Sequence, residues 1–349
     1  MNRMITRTIT AFAGIGLATA GLAAPAFAAS PDAGLFGSMD PTYDGVFRQG
    51  VSIIALAPLK QVPAEALTWL RGQQCLDGSF EAYRASIRTA CAAPDPLKFT
   101  GPDSNSTALA AMAFRSVQQH EPADRAIAAL VAKQNADGGW GYTLGGASDV
   151  NSTGLVVAAL QGAATLPTNA AAKNRGLAYL TSTQVPCTGA GTFGLPYQAG
   201  GPADALASAQ ALVGIAGTLP ANKPTAYASL TRTSCTSTLQ AKVAAFLNQS
   251  LVSGKGTLAS SLDPKQTDWN ATASAVVGLA SARQGRAGVS AGLAQLQRNV
   301  AAYTGPADKF KVAADATLIM VARVTGTSPR AFGTARTNLV AALLNSITK

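Results

Sequence analysis

Gln134-Asn135-Ala136-Asp137-Gly138-Gly139-Trp140 repeats, position for position, an earlier stretch, Gln74-Cys75-Leu76-Asp77-Gly78-Ser79-Phe80. Each heptamer follows an apolar stripe at helical spacing. Gly78 and Gly138 permit a tight turn that a side chain would obstruct. Asp77 and Asp137 are placed to accept backbone amides in that turn, and Phe80 and Trp140 to cover the adjoining helix end. Two such heptamers in register are the signature of an internal repeat whose unit cannot bury its apolar face alone. Weaker echoes follow Gln184, at Gly191-Thr192-Phe193-Gly194, and Gln249, at Gly256-Thr257-Leu258.

A second element opens the helix after each heptamer. It reads Asp103-Ser104-Asn105-Ser106-Thr107, then Asp149-Val150-Asn151-Ser152-Thr153, then Asp268-Trp269-Asn270-Ala271-Thr272. Asp204 and Asp315 begin looser versions, and Asp44 is a candidate for the first. An Asp in this position caps the unpaired amides of a helix start and offsets its dipole.

Apolar periodicity between these marks gives twelve helices in six pairs. The first starts near Val46 and ends at Pro58, and the second opens at Pro63. The others are read at 103–119, from Pro122 on, 151–162, 170–182, 202–217, 238–249, 269–283, 289–303, 310–324 and 332–347. The odd-numbered helices are nearly free of charge. The even-numbered ones carry Lys133, Lys173, Arg175, Lys242 and Arg298. Uncharged helices belong inside and charged ones outside. The expected fold is therefore all-α, an (α/α)6 toroid of six helical hairpins with inner and outer layers.

Composition narrows the function. Hydrophobic residues make up 48% of the 349 and charged residues 13%, so the surface must be dressed largely with uncharged polar groups. The formal net charge is +10, but no basic run exceeds two residues and none is interleaved with aromatics, which argues against a nucleic-acid partner. Arg3 and Arg7, an apolar Ala/Gly-rich stretch and Ala26-Phe27-Ala28 read as a secretory leader over residues 1–28. A short linker at 29–42 and a single toroid domain at 43–349 are expected to follow. The exported chain is expected to be secreted or envelope-associated, without a stable membrane span, and monomeric. Export permits disulfides. Of the three pairings open to four cysteines, Cys75–Cys91 and Cys187–Cys235 are favoured because each joins one local stretch.

The heptamers resemble the Q-x-x-x-G-x-W repeat of the α/α-toroid superfamily of prenyltransferases and squalene cyclases. That group includes the secreted cobalamin carriers of the transcobalamin and intrinsic factor type, whose inner helices the starts at Asp103, Asp149 and Asp268 resemble. The likeness covers about residues 40–348 and implies the toroid. The catalytic motifs of the group are absent. There is no Asp-x-Asp-Asp acid, aromatics are only 6%, and one histidine, His120, does not make a zinc set with Asp and Cys. Cys75 lacks the Gln of a Cys-x-x-Gln thioester. No Gly-x-Ser-x-Gly is set as a nucleophile elbow, and no Gly-x-Gly-x-x-Gly follows a strand.

The expected function is a noncatalytic, secreted toroid that binds a small molecule, lipid or envelope component in its central cavity, with no metal and no cofactor. Asn105, Tyr142, Asp149, Asn151, Phe193, Tyr197, Asp204, Asp268, Trp269 and Asn270 are the candidate lining at one mouth. Gln74, Asp77, Gly78, Phe80, Gln134, Asp137, Gly138 and Trp140 are read as structural. Two alternatives are a terpenoid-cyclase-like or glycan-acting enzyme with a non-standard acid site, Glu81 with Asp77 being the glycan candidate, and a structural or partner-binding surface module.

Overall fold

A computed structural model describes residues 32–163, 165–188, 192–217, 222–230, 232–261 and 263–349. The expected leader at 1–28 lies outside them. Six inner helices, α1 (Gly45–Leu56), α3 (Ser104–Ser116), α5 (Val150–Gln161), α7 (Ala205–Ala216), α9 (Trp269–Ser281) and α12 (Val312–Thr325), each pack on the next. The last packs on the first, so the ring is closed. The outer partners are α2 (Ala64–Gly72), α4 (His120–Ala132), α6 (Pro167–Ser182), α8 (Leu239–Ser253), α10 (Arg286–Arg298) and α13 (Leu339–Asn345). A five-residue turn of helix, α11 (Val300–Thr304), stands between α10 and α12. The described residues hold isolated bridges but no sheet. The molecule is the expected all-α toroid.

Among the inner helices α5, α7 and α9 carry no charged side chain, and at α5 and α7 there is little wall to spare for one. Adding a Cβ to Gly154 would place it 2.6 Å from the Ala211 Cα, and one on Gly214 would meet the Gly154 carbonyl oxygen at 2.4 Å. α5 and α7 therefore touch backbone to backbone. Small residues make such an approach possible, and a charged side chain at that contact would be buried without a partner.

The heptamers join one hairpin to the next. Gln134 Nε2 donates to the Gly138 carbonyl at 2.7 Å and to the Ala172 carbonyl of α6 at 2.9 Å. Gln74 Nε2 repeats this with Gly78 and with Pro122 of α4, at 3.0 and 2.9 Å. Asp77 and Asp137 accept the amides of Ser79 and Gly139. Gly78 and Gly138 have φ of 93° and 89° and sit against the Arg125 and Arg175 carbonyls, where a Cβ would come within 2.4 and 2.7 Å. Only glycine meets both conditions at once. The Trp140 ring is 1% exposed and its Nε1 donates to the Leu130 carbonyl at 2.8 Å.

The amide that follows each turn goes to the next inner helix. Phe80 N donates to Thr107 Oγ1, Trp140 N to Thr153 Oγ1, Leu195 N to Ser208 Oγ and Leu258 N to Thr272 Oγ1, all at 2.9–3.0 Å. Phe36 N finds Gln49 Oε1 at 2.9 Å in the same way. The stretch 29–42, read as a linker, is folded from Gly34 onward. Gly34 and Gly37 donate to the carbonyls of Thr348 and Ser346, and Thr348 donates back to Leu35, so the two ends of the described chain close the ring. Both expected disulfides form, Cys75–Cys91 and Cys187–Cys235.

Several boundaries differ from the periodicity. The helix expected over 289–303 breaks at Asn299, whose backbone leaves the helical region (ψ 32°) while its Nδ2 donates to the Gln295 carbonyl at 2.9 Å. The helix expected over 332–347 shrinks to α13. Gly333 and Arg336 take φ of 73° and 54° within a turn that bridges Phe332 to Thr337, and Asn338 then caps the helix through Ala341 N. The helix expected from Pro122 on opens earlier, at His120.

Trp140→Ala removes a fully buried indole and its hydrogen bond to the Leu130 carbonyl. It should lower stability by about 3–5 kcal/mol in chemical denaturation. A midpoint equal to that of the unsubstituted protein would contradict the packing described.

Candidate functional site

Inner helices that start at a common height line the lumen in level rows. One row is Val51, Leu109, Leu155, Gln210, Ser274 and Thr317. The next, a turn deeper, is Ile54, Met112, Ala158, Val213, Val277 and Met320. Each helix contributes at i and i+3, the spacing that keeps both side chains on one face. The row above holds Phe47, Leu206, Asn270 and Ala313. Asn105 and Asn151 occupy the same register on α3 and α5, two residues past their caps, as Asn270 does on α9. Asn151 Nδ2 donates to Gln210 Oε1 of the lumen wall at 2.9 Å.

These rows enclose a cavity of about 350 Å3, with Tyr303 at its upper edge. Among the described residues, no Asp, Glu, Lys, Arg or His lines it. Tyr303 is 5% exposed and makes a side-chain hydrogen bond with Thr317, and burial pushes its phenol above the ordinary value. Beneath the deepest row a second cavity, of about 500 Å3, opens at the opposite end and shares Ile54, Met112, Ala158 and Met320 with the lumen. Its two arginines are engaged, Arg115 with Asp124 and the Gly162 carbonyl, Arg323 with Asn222.

Above the lumen lies a polar vestibule of about 410 Å3, lined by Ser260, Asp263, Gln266, Thr267, Asp268, Trp269, Asn270, Ala302, Tyr303 and Lys311. Asn270 and Tyr303 belong to both spaces and form the neck between them. Of the residues expected at the mouth, Asp268, Trp269 and Asn270 come together here.

Four of the expected aspartates are caps. Asp103, Asp149, Asp204 and Asp268 accept the amides of Ser106, Ser152, Ala207 and Ala271 at 2.7–2.8 Å. Asp103 and Asp149 are buried and line none of the cavities described. Asp44 does not cap. It pairs instead with Arg48 at 3.0 Å. Tyr142, Phe193 and Tyr197 sit on the rim and line neither the lumen nor the vestibule. The Tyr142 and Tyr197 carbonyls take the amides of Ser104 and Val150, the Phe193 carbonyl takes Gln184 Nε2, and the Tyr197 side chain is half exposed.

Asp315 corrects the repeat reading. The residue preceding α12 is Lys311, so Asp315 is not a cap but stands four residues on, in the register of Thr107, Thr153, Ser208 and Thr272. Those hydroxyls receive an amide from the preceding loop. Asp315 is 1% exposed and neither of its oxygens has a partner. Burial raises its carboxyl to about 8 and that of Asp103, whose Oδ2 is also unpaired, to about 7.

Other combinations do not assemble. Glu81 lies beside Cys75 and Cys91, and the three offer ligand atoms within 4.8 Å of one another, but both sulfurs are held in the disulfide. Glu81 accepts the Ala92 amide and Asp77 holds the Ser79 turn, so both expected glycan acids are occupied in the heptamer loop. Gly288-Val289-Ser290-Ala291-Gly292 has Gly-x-Ser-x-Gly spacing, yet it runs within the outer helix α10, where Ser290 faces solvent and forms no elbow. The lumen rows themselves were not legible as a site, because their Leu, Val and Met have the same period as core residues.

A protein from Actinoplanes is similar in structure, with a TM-score of 0.52 at 17% identity over 84% of this chain and 93% of that one. The ent-copalyl diphosphate synthase from Streptomyces platensis matches with a TM-score of 0.52 at 15% identity, over 81% of this chain and 50% of its own. The fold is an α/α toroid resembling that of the terpene cyclases. The apo type II terpene cyclase MstE from Scytonema aligns with a TM-score of 0.48 at 14% identity, over 82% and 92% of the two chains. No protein-family model and no curated protein matches this chain. At these identities the likeness concerns the fold alone.

The raised carboxyls set a pH dependence. A folded-state value above the ordinary 3.8 means the native protein keeps a proton that the unfolded chain gives up. The stability from Asp315 and Asp103 is therefore complete below about pH 4 and is lost as pH rises through 7 and 8. The melting temperature should fall between pH 5 and 8.5, and Asp315→Asn should flatten that fall. An equal fall in the variant would show that Asp315 is not its source.

Proposed function

We propose that the protein takes a flexible, isoprenoid-like apolar chain into the toroid lumen. One observation carries this reading: two complete rows of inner-helix side chains surround an open cavity without a charged group among them. An apolar chain there sheds its hydration against Val, Leu, Ile and Met without stranding an ion. A sugar would find no carboxylate pair on that wall, which counts against the glycan-acting alternative. A surface module would be expected to fill its centre, which counts against the structural one.

A cyclase-like activity on the same ligand is the second reading, and two observations favour it: the toroid resembling that of the terpene cyclases, and an acid at the neck. Asp268 lines the vestibule beside Asn270 and Tyr303, where the end of a chain held in the lumen would lie. In that role its carboxyl would be the acid while its Oδ1 keeps the α9 cap.

Binding is tested with 1-N-phenylnaphthylamine, whose fluorescence rises in apolar surroundings. The protein should enhance it, and Leu155→Trp and Val213→Trp, which fill the lumen from different helices, should each abolish the enhancement in protein that still melts cooperatively. Undiminished enhancement in both filled variants would overturn the lumen reading. The cyclase reading adds that Asp268→Asn, which retains a capping side chain, removes turnover of an isoprenoid polyene while leaving probe binding in place. Equal turnover in that variant would remove Asp268 as the acid.

A further inference from the structure

We infer that the vestibule selects an isoprenoid chain by its head group, admitting an uncharged, hydroxyl-bearing head and turning away a diphosphate. This rests on the lumen reading above and concerns the other end of the ligand. The lumen closes at Tyr303 and Asn270 and continues into a space whose acidic and basic side chains, among the described residues, are Asp263, Asp268 and Lys311, a formal excess of one negative charge. A chain seated in the lumen therefore presents its polar end to two carboxylates and one amine.

The arrangement of helix ends points the same way. Six inner helices turn their amino ends toward this mouth, and converging amide dipoles ordinarily draw phosphate. Here four of the six are closed by carboxylates. Asp103, Asp149, Asp204 and Asp268 each occupy the amide an anion would use. At the vestibule itself the field that would have favoured a diphosphate is offset at α9, whose cap Asp268 also lines that space. Uncharged groups fare better: the Asn270 amide, the Gln266 amide and the Thr267 hydroxyl can exchange hydrogen bonds with a hydroxyl, and the half-buried Trp269 supplies a flat apolar wall. Asp263 is held in place by its own turn, accepting the Lys265 amide and Gln266 Nε2, so its charge stays at the opening.

Competition against 1-N-phenylnaphthylamine with geranylgeraniol and with geranylgeranyl diphosphate, at fixed ionic strength, tests this directly. The alcohol should displace the probe at a concentration about tenfold or more below that needed for the diphosphate, since two nearby carboxylates act on an anion in a partly screened site. Asp263→Lys should bring the two closer or reverse them, and Lys311→Gln should widen the gap. A diphosphate that competes as well as the alcohol, or a ratio unmoved by Asp263→Lys, would overturn the head-group inference while leaving the lumen reading intact. Failure of both compounds to displace the probe would end the lumen reading and this inference with it.

Discussion

The toroid depends on one hydrogen bond made five times, from the backbone amide that ends each loop to a side chain about one turn into the next inner helix. Phe80 to Thr107, Trp140 to Thr153, Leu195 to Ser208 and Leu258 to Thr272 share it, and Phe36 to Gln49 is its counterpart at the first helix. Each is buried, so losing one would cost about 1–3 kcal/mol for a stranded group rather than the smaller net worth of the bond. The bond also sets the height at which each inner helix begins. At the sixth junction, where α11 replaces the heptamer, Asp315 holds the acceptor position with no amide to accept. The seam between the last hairpin and the rest is thus built differently from the other five.

A common starting height is what makes a lumen. Six helices in register place Leu109, Leu155 and Gln210 on one level and Met112, Ala158 and Val213 on the next, so the deeper level is wholly apolar and the upper one mixes Val and Leu with uncharged polar groups. Charge is pushed to the ends. Capping carboxylates, the Asn side chains and the vestibule collect at the mouth, and Arg115 and Arg323 at the far end, where the carbonyl ends of the inner helices favour positive charge. The interior is left fit for hydrocarbon and the mouth for a polar terminus.

The parts of this arrangement that are local in sequence could be read from it. Gln134 to Trp140 contains its own turn, and Asp149 its own cap, so spacing alone disclosed the repeat and the layering of charged and uncharged helices. Neighbouring cysteines likewise disclosed their partners. What could not be read depends on which face of a helix meets the centre. Met112 and Val213 face the lumen while Ala113 and Leu212 face the core, and nothing in their chemistry separates them. Asp315 looked like a cap because the loop before it has the wrong length for the repeat. Only the register of α12 shows it to be the counterpart of the threonines. The last helix was overextended because Phe332 and Leu339 keep a helical interval across Gly333 and Arg336, whose backbones turn left-handed.

The central claim is that an apolar chain lies along the inner-helix rows. Photocrosslinking with an isoprenoid carrying a diazirine near its apolar end, followed by peptide mapping, tests it most directly. The account predicts labelling of the inner-helix peptides that hold Met112, Leu155, Val213 and Met320, suppressed by excess unlabelled ligand. Labelling confined to the outer helices α4, α6 and α10, or to the exposed Leu97–Phe99 loop, would contradict it.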